Sequence, residues 1–458
     1  MNQITVDFRE IVGPVKALHG VCCAPYAKKS GPNQTAIQEL FTEAKISYCR
    51  LHDCCGAYGG MNYVDIPNVF KDFDADENDP ANYDFYFTDE YIGAIQKAGC
   101  EAYYRLGITI EWGSRKYFTA PPKDAAKWAR ICEHVIRHYN EGWADGFHYD
   151  LKYWEIWNEP ENHGDEFGKC MFGGTPEEFY HLYEVTAKHL KKCFPNIKVG
   201  GYGSCGFYAY TNPNRKPAYH MFLTYFKDFL QMVKDTGSPM DFFSWHIYSG
   251  SLEDLLAHAK YCRDTLDAYG FAETEAHLNE WNVNAEGGGF PEKHTMVGGS
   301  FNAAVFCMLQ ETRYVDKAMY YCFHNSTYNG LQNPITGDRE PSWYPFVAFG
   351  HLYGLGNSVK TTKEGGVWAT AAKNDAEGAV LLANYHHDDE DVTLAVSGLG
   401  GKKTAHVQMI TEDKHLYEEI AFTVTDETEL KIKLPRESCC GSALSSPVSP
   451  WCCVPPRC

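Results

Sequence analysis

Two glutamates in this chain stand where a carboxylate could do acid, base or nucleophilic work. Glu159 lies in Tyr153-Trp154-Glu155-Ile156-Trp157-Asn158-Glu159-Pro160-Glu161-Asn162, and Glu280 in Leu278-Asn279-Glu280-Trp281-Asn282. The first segment alternates large aromatic and β-branched residues with polar ones, as a buried strand does. It stops at Pro160, which lacks the N–H that a sheet ladder needs. Glu159 is thereby left at a strand tip beside the Asn158 amide. Glu280 also closes an apolar run, flanked by Asn and Trp, 121 residues further on. A lone glutamate at such a place reads as a solvated loop residue. Two in matching surroundings read as a pair sharing one substrate, one carboxyl protonated to assist a leaving oxygen and one ionised. Hydrolysis of a glycosidic bond needs that division of labour.

The surrounding elements must bring the pair together. From Val15 to about Gly356, short apolar runs alternate with longer helical patterns, the signature of a parallel sheet with crossover helices. Eight runs read as strands. They are Val15–Val21, Ile46–His52, Cys100–Leu106, the Glu159 segment, Lys198–Gly201, Phe242–Tyr248, Ala276–Trp281 and Ala318–Phe323. Thr175-Pro176-Glu177-Glu178 opens a helix with an N-cap, a proline at the first helical position and a Glu three residues after the cap. Asp124–Trp143, Met221–Asp235, Leu252–Tyr269 and Met296–Tyr314 carry similar spacing. The fold class is therefore α/β, with a (β/α)8 barrel over residues 15–356. Such a barrel sets the tips of its fourth and seventh strands across one mouth, where barrel enzymes hold their chemistry. No Gly-x-Gly-x-x-Gly follows a strand, so dinucleotide binding lacks its fingerprint.

Past Gly354-Leu355-Gly356-Asn357 the helical period gives way to short alternating runs, which predict a C-terminal antiparallel β-sandwich over 357–436. Residues 1–14 are expected to add a strand to it. The Ser-, Pro- and Cys-rich tail 437–458 has little to bury and is expected to be disordered and without function.

The chain has 458 residues, with 44% hydrophobic and 22% charged, enough for a large domain and a smaller one. Its net charge of −19 repels phosphate backbones and anionic membranes, so no nucleic acid and no membrane partner is expected. No basic head precedes an apolar run at the start, and no stretch approaches the ~18 apolar residues of a membrane helix, so the expected location is cytoplasmic. The 18 cysteines mostly sit in apolar segments, where reduced thiols behave as small hydrophobes. None shows zinc-knuckle spacing. No metal and no cofactor is expected, and homo-oligomerisation is left open.

Taken together, Trp154-Glu155-Ile156-Trp157-Asn158-Glu159-Pro160, Phe243-Ser244-Trp245-His246-Ile247-Tyr248 and Asn279-Glu280-Trp281-Asn282 resemble glycoside hydrolase family 39. That family holds β-xylosidases and α-L-iduronidases and belongs to a clan of retaining (β/α)8 glycosidases. The Asn-Glu-Pro segment indicates the clan, and the other two narrow it to the family. The resemblance implies Glu159 as general acid/base, Glu280 as nucleophile and Asn158 as the amide on the sugar 2-hydroxyl.

Around them, Tyr248 would hold Glu280 by a phenolic hydrogen bond, with His246 on the same wall, or both are ordinary strand-end residues. Arg50 would steady Glu280 by charge, or pair with a structural carboxylate. His52 would contact the sugar, or be a satisfied structural histidine. Trp343 is either a stacking platform for a pyranose ring or core. Asn282 supports Glu280 from the same strand. The family's xylosidases tend to carry acidic residues just after the eighth strand. Phe323–Asn329 has none, which weakens xylose specifically. The expected activity is retaining exo-hydrolysis of oligosaccharides or glycosides, with β-xylosidase leading. Arabinosyl, galactosyl or uronic-acid substrates, or a catalytically silent carbohydrate-binding barrel, are the alternatives.

Overall fold

The computed structural model describes residues 2–23, 32–54, 62–111, 113–162, 170–283, 289, 292, 294–323, 329–333, 336–400, 403–413, 415–425 and 427–445. The chain divides into two compact units. One comprises Ala17–Glu286 with Arg313–Gly330, the other Met1–Lys16, Gly287–Thr312 and Leu331–Cys458.

In chain order, strand β1 (Asn2–Pro14) belongs to the second of these units. The first unit is built on β2 (Ala17–Cys22), β3 (Tyr48–Leu51), β4 (Glu101–Leu106), β5 (Tyr153–Ile156), β6 (Lys198–Ser204), β7 (Phe242–Tyr248), β8 (Glu275–Asn282) and β9 (Lys317–Tyr320). All eight pair in parallel with their neighbours, and β2 also pairs with β9, so the sheet closes into a barrel. The eight strands are those expected from the alternating pattern.

Aromatic bulk fills part of the interior: Tyr103, Tyr153 and Phe242 pack with Met319, Cys22 and Cys322 in one buried cluster. Helices cross between strands. Among them are α1 (Pro32–Glu43), α2 (Ile66–Val69), α3 (Tyr86–Lys97), α4 (Ala125–Asn140) and α5 (Pro176–Cys193). Asp124 caps α4 by accepting from the Ala126 and Lys127 amides. Thr175 and Glu178 form the reciprocal cap foreseen for α5. One detail of register serves the site. The β7–β8 pairing shifts between Trp245 and His246, which sets His246 level with Glu280.

The second unit is a nine-stranded sheet. With β10 (Asn357–Glu364), β11 (Trp368–Lys373), β12 (Glu377–Asn384), β13 (Glu390–Ser397), β14 (Lys403–Ile410), β15 (His415–Val424), β16 (Glu427–Leu434) and β17 (Ser438–Ser445), the order is β15-β14-β17-β12-β11-β10-β1-β13-β16. Residues near both ends of that order, Val407 of β14 and Ile432 of β16, share one buried cluster with Val6 and Leu382, so the sheet doubles over its own core. Residues 2–14 do supply a strand, antiparallel to β10 and parallel to β13, the latter a departure from a purely antiparallel pattern.

Two expectations need correction here. The stretch 438–445 is not disordered: β17 lies between β12 and β14 and pairs with both, burying Cys439, Cys440 and Leu444. Its small residues gave little apolar signal, yet two flanking strands satisfy its backbone. The rest of the predicted disordered tail, 446–458, falls outside the described residues. The contacts also group the helices Met296–Gln310 and Tyr344–Leu355 with this sheet, although the sequence reading ran the barrel to 356. Both are largely apolar, the first buried along nearly its whole length, and they pack on β11 and β12.

Among the described residues, no helix is long and apolar enough to cross a membrane. Their cysteines are free thiols, most of them buried.

Candidate active site

The fourth and seventh barrel strands, β5 and β8, carry the two glutamates. β5 ends at Ile156, and the next three residues turn sharply: Trp157 and Glu159 both adopt positive φ, at 71° and 48°. Bulky residues rarely occupy that region, and such strain gathers where a side chain must be aimed. The Trp157 ring is buried, with its N–H on the Met171 carbonyl at 2.9 Å, and the Glu159 amide donates to the Tyr202 and Gly203 carbonyls at 3.1 and 3.0 Å. The aromatic packing thus holds the turn that presents Glu159.

Gly203, at the end of β6, is required by its surroundings. Its φ is +63°, and a Cβ there would lie 3.0 Å from Asn158 Oδ1, 3.2 Å from Arg50 Nη2 and 3.2 Å from His246 Nε2.

Glu280 lies within β8. Its Oε1 accepts from Arg50 Nη1 at 2.7 Å, and its Oε2 accepts from the Tyr248 hydroxyl at 2.7 Å. Glu159 Oε1 meets His246 Nδ1 at 2.9 Å, while its Oε2 accepts from Asn162 Nδ2 at 3.3 Å. His246 Nδ1 is also 3.6 Å from Glu280 Oε2. One oxygen of each carboxylate and a ring nitrogen of His246 all lie within 4.8 Å of one another. Burial opposes charging the imidazole, but Glu280 and Glu159 outweigh it and raise its pKa above the usual histidine value.

Arg50, fully buried at the end of β3, ties the centre together. Nε donates to Glu155 Oε2 at 2.7 Å, Nη1 to Glu280, and Nη2 to Asn158 Oδ1 at 2.6 Å. Burial works against its charge, but the Glu155 and Glu280 carboxylates more than offset this and drive its pKa further up, so it stays a cation. The two roles considered for Arg50 from the sequence coexist in one guanidinium. Asn158 keeps its Nδ2 buried with no hydrogen-bond partner among the described residues.

His52 stands with Nε2 3.8 Å from Glu280 Oε1 and 3.5 Å from Asp53 Oδ1. Burial first, then the Arg105 and Arg50 charges, hold its pKa well below the histidine range, so it is a neutral ring. Asn282 braces the rim: its Nδ2 donates to the Tyr321 and Asn329 carbonyls at 2.8 and 3.0 Å. Trp343 falls in the other unit, within a short helix Pro341–Trp343, with its ring fully buried and parallel to Phe346. It has no solvent-exposed face for a sugar to stack on, because apolar packing has consumed the ring.

Several participants escaped the sequence reading. Glu155 is buried in β5 and accepts from Arg50, from Ser244 Oγ at 2.6 Å and from Asn279 Nδ2 at 2.6 Å. A carboxylate inside an otherwise apolar strand was the available signal. Asp53, on the same turn as His52, accepts from the Tyr321 hydroxyl at 2.8 Å, and burial pushes its pKa to about 6. Glu161 accepts from the Cys205 amide at 2.8 Å, and burial lifts it to about 8. The stretch 324–328, where acidic sugar-binding residues were looked for, lies outside the described residues.

This chain is 23% identical over 289 residues to a β-xylosidase of Geobacillus stearothermophilus, an alignment covering 57% of the chain and 52% of that protein. It is 26% identical over 279 residues to a β-xylosidase of Caldicellulosiruptor saccharolyticus, covering 56% and 50%. The chain thus spans about half the length of these curated relatives. A glucosidase from Croceicoccus marinus has a solved structure that superposes with a TM-score of 0.80 at 22% identity, over 98% of this chain and 99% of that one, which shows a shared fold. The family model for glycosyl hydrolases family 39 matches residues 20–267, a stretch that opens in β2, contains β5 with its Asn-Glu-Pro turn and ends in the helix leading to β8. With that model covering more than half of its length, the chain belongs to glycosyl hydrolases family 39.

Proposed function

We propose that this protein is a retaining exo-glycosidase in which Glu280 is the nucleophile and Glu159 the general acid/base. The observation that carries the reading is the approach of their carboxylate oxygens, within 4.8 Å of each other at the ends of β5 and β8. Retaining enzymes hold their carboxyl groups about 5–5.5 Å apart, whereas inverting ones leave about 6.5–9.5 Å for a water.

Glu280 attacks the anomeric carbon while Glu159 gives its proton to the departing glycosidic oxygen. The sugar is left esterified to Glu280. Glu159, now a carboxylate, then takes a proton from water as that water attacks the same carbon, and Glu280 departs as a carboxylate. Arg50 and Tyr248, one on each oxygen, keep Glu280 oriented for attack. The unpartnered Nδ2 of Asn158 suits the sugar 2-hydroxyl, whose hydrogen bond strengthens in the transition state. Neutral His52 offers a further polar contact to the ring.

A terminal β-xylosyl unit is the substrate best supported, since the curated relatives carry that name. The lack of acidic residues in Phe323–Asn329 favours a second reading, with another terminal sugar such as arabinosyl or galactosyl. Turnover of a panel of aryl glycosides separates these. Fastest release from the β-xyloside supports the first reading, a different preferred sugar supports the second, and no release from any would leave a silent binding barrel.

A further inference from the structure

Helices α4 and α5 lie side by side around the barrel, away from the strand tips, and share a cluster that the glycosidase reading does not use. Glu133 of α4 and His189 and Cys193 of α5 bring a carboxylate oxygen, a ring nitrogen and a sulfur within 4.8 Å of one another. His189 Nε2 is 2.6 Å from Glu133 Oε2 and 3.8 Å from Cys193 Sγ. His189 and Cys193 are four residues apart, so one helix face presents both. The second oxygen of Glu133 is already engaged by Arg137 at 2.7 Å, which fixes the carboxylate and leaves Oε2 turned towards the histidine. Cys193 is the last residue of α5, where the helix dipole favours positive charge. All three residues are partly exposed, so an ion can reach them.

We propose that Glu133, His189 and Cys193 form a binding site for a zinc-like divalent cation that clips α4 to α5. Thiolate, imidazole and carboxylate are the donor types zinc takes, whereas calcium and magnesium take oxygen alone. Zinc bonds at tetrahedral angles set donors roughly 3.3–3.6 Å apart. The trio therefore has to open its nitrogen–oxygen contact by less than an ångström and draw the sulfur, now 3.8 Å from the nitrogen and within 4.8 Å of the oxygen, inwards, and water completes the fourth position. Binding requires the Cys193 thiol to give up its proton to the buffer and His189 to present a bare Nε2, which the neutral ring does by carrying its proton on Nδ1, so affinity rises with pH.

The test is titration of the chelator-treated full chain with zinc by calorimetry, and with cobalt by absorbance. The expected result is one equivalent bound with a sulfur-to-cobalt charge-transfer band in the near ultraviolet, the band absent in Cys193→Ser and zinc affinity at least tenfold weaker in His189→Ala. Both variants should keep wild-type glycoside turnover, which also shows that they fold. Binding absent from the wild type would overturn the site, as would binding undiminished in both variants. Because turnover is read separately, failure here leaves the catalytic assignment standing, and the reverse holds too.

Discussion

At the scale of residues, the centre is a set of shared oxygens and donors. Glu280 has one firm donor on each oxygen, and Glu159 has His246 and Asn162. If Glu280 forms the sugar ester, Glu280→Gly abolishes hydrolysis, and added azide restores turnover as a glycosyl azide of inverted anomeric configuration. Wild-type rates in that variant would remove Glu280 from the role. For Glu159→Ala, substrates with poor leaving groups should lose about 10²–10⁴-fold in kcat/KM, the usual worth of acid catalysis, while activated aryl glycosides lose far less. Equal losses on both would contradict proton donation by this residue.

Glu161 offers a different readout, because burial lifts its pKa to about 8 from an ordinary 4.5. Between those values the unfolded chain releases this proton while the folded chain keeps it. Stability therefore falls as pH rises across the window and levels off above about 8, with about 1.4 kcal/mol per pH unit as the ceiling. Glu161→Gln has no proton to lose, so its urea midpoint should drop less between pH 5 and pH 8 than that of the wild type.

At the scale of elements, what matters is how strand ends aim side chains. The register shift between β7 and β8 puts His246 opposite Glu280, and the left-handed turn after β5 swings Glu159 towards both. Gly203 leaves room for Asn158, Arg50 and His246 to close in beside them. Gly203→Ala would impose a Cβ on Asn158, Arg50 and His246 at a φ that costs an alanine about 1–2 kcal/mol. We expect a drop of at least tenfold in kcat/KM from a folded protein. Gly237→Ala is the control: it sits at nearly the same φ, +62°, at the end of the helix Pro217–Thr236, but a Cβ there meets nothing within 4 Å. It should lower the melting temperature and leave turnover unchanged. Similar turnover losses in both variants would show that backbone strain, not the crowding of Asn158 and Arg50, is what the site feels.

At the scale of the whole molecule, each unit depends on pairing between strands distant in sequence. The barrel has no free edge, since β2 returns to β9. The second unit is held in its middle by β17, which gives backbone partners to both β12 and β14. A chain truncated after Glu437 would strip those partners, remove Cys440 and Leu444 from the core cluster and uncover their neighbours there, such as Val380, Leu382 and Val407. It should be recovered mainly as aggregate, or melt well below the full chain in a thermal scan. A truncated chain that melts with the intact one would mean β17 is dispensable.

The amino-acid sequence by itself determined the eight barrel strands, the change of architecture after Gly356 and the two glutamates, because each rests on a local signal: apolar period, turn chemistry, a proline stop. It also marked Arg50, His52, His246 and Tyr248 as strand-end polar residues among apolar neighbours, but not which oxygen each would meet. Glu155 was visible as a charge inside a strand. Its bonds to Arg50, Ser244 and Asn279 join residues 89 to 124 positions apart, and no local pattern encodes those distances. Only the tertiary structure buried Trp343, ordered Ser438–Ser445 between two distant strands, and brought Glu133 to His189 and Cys193. Those outcomes depend on which surfaces meet when the chain closes, and that is a property of packing rather than of any segment.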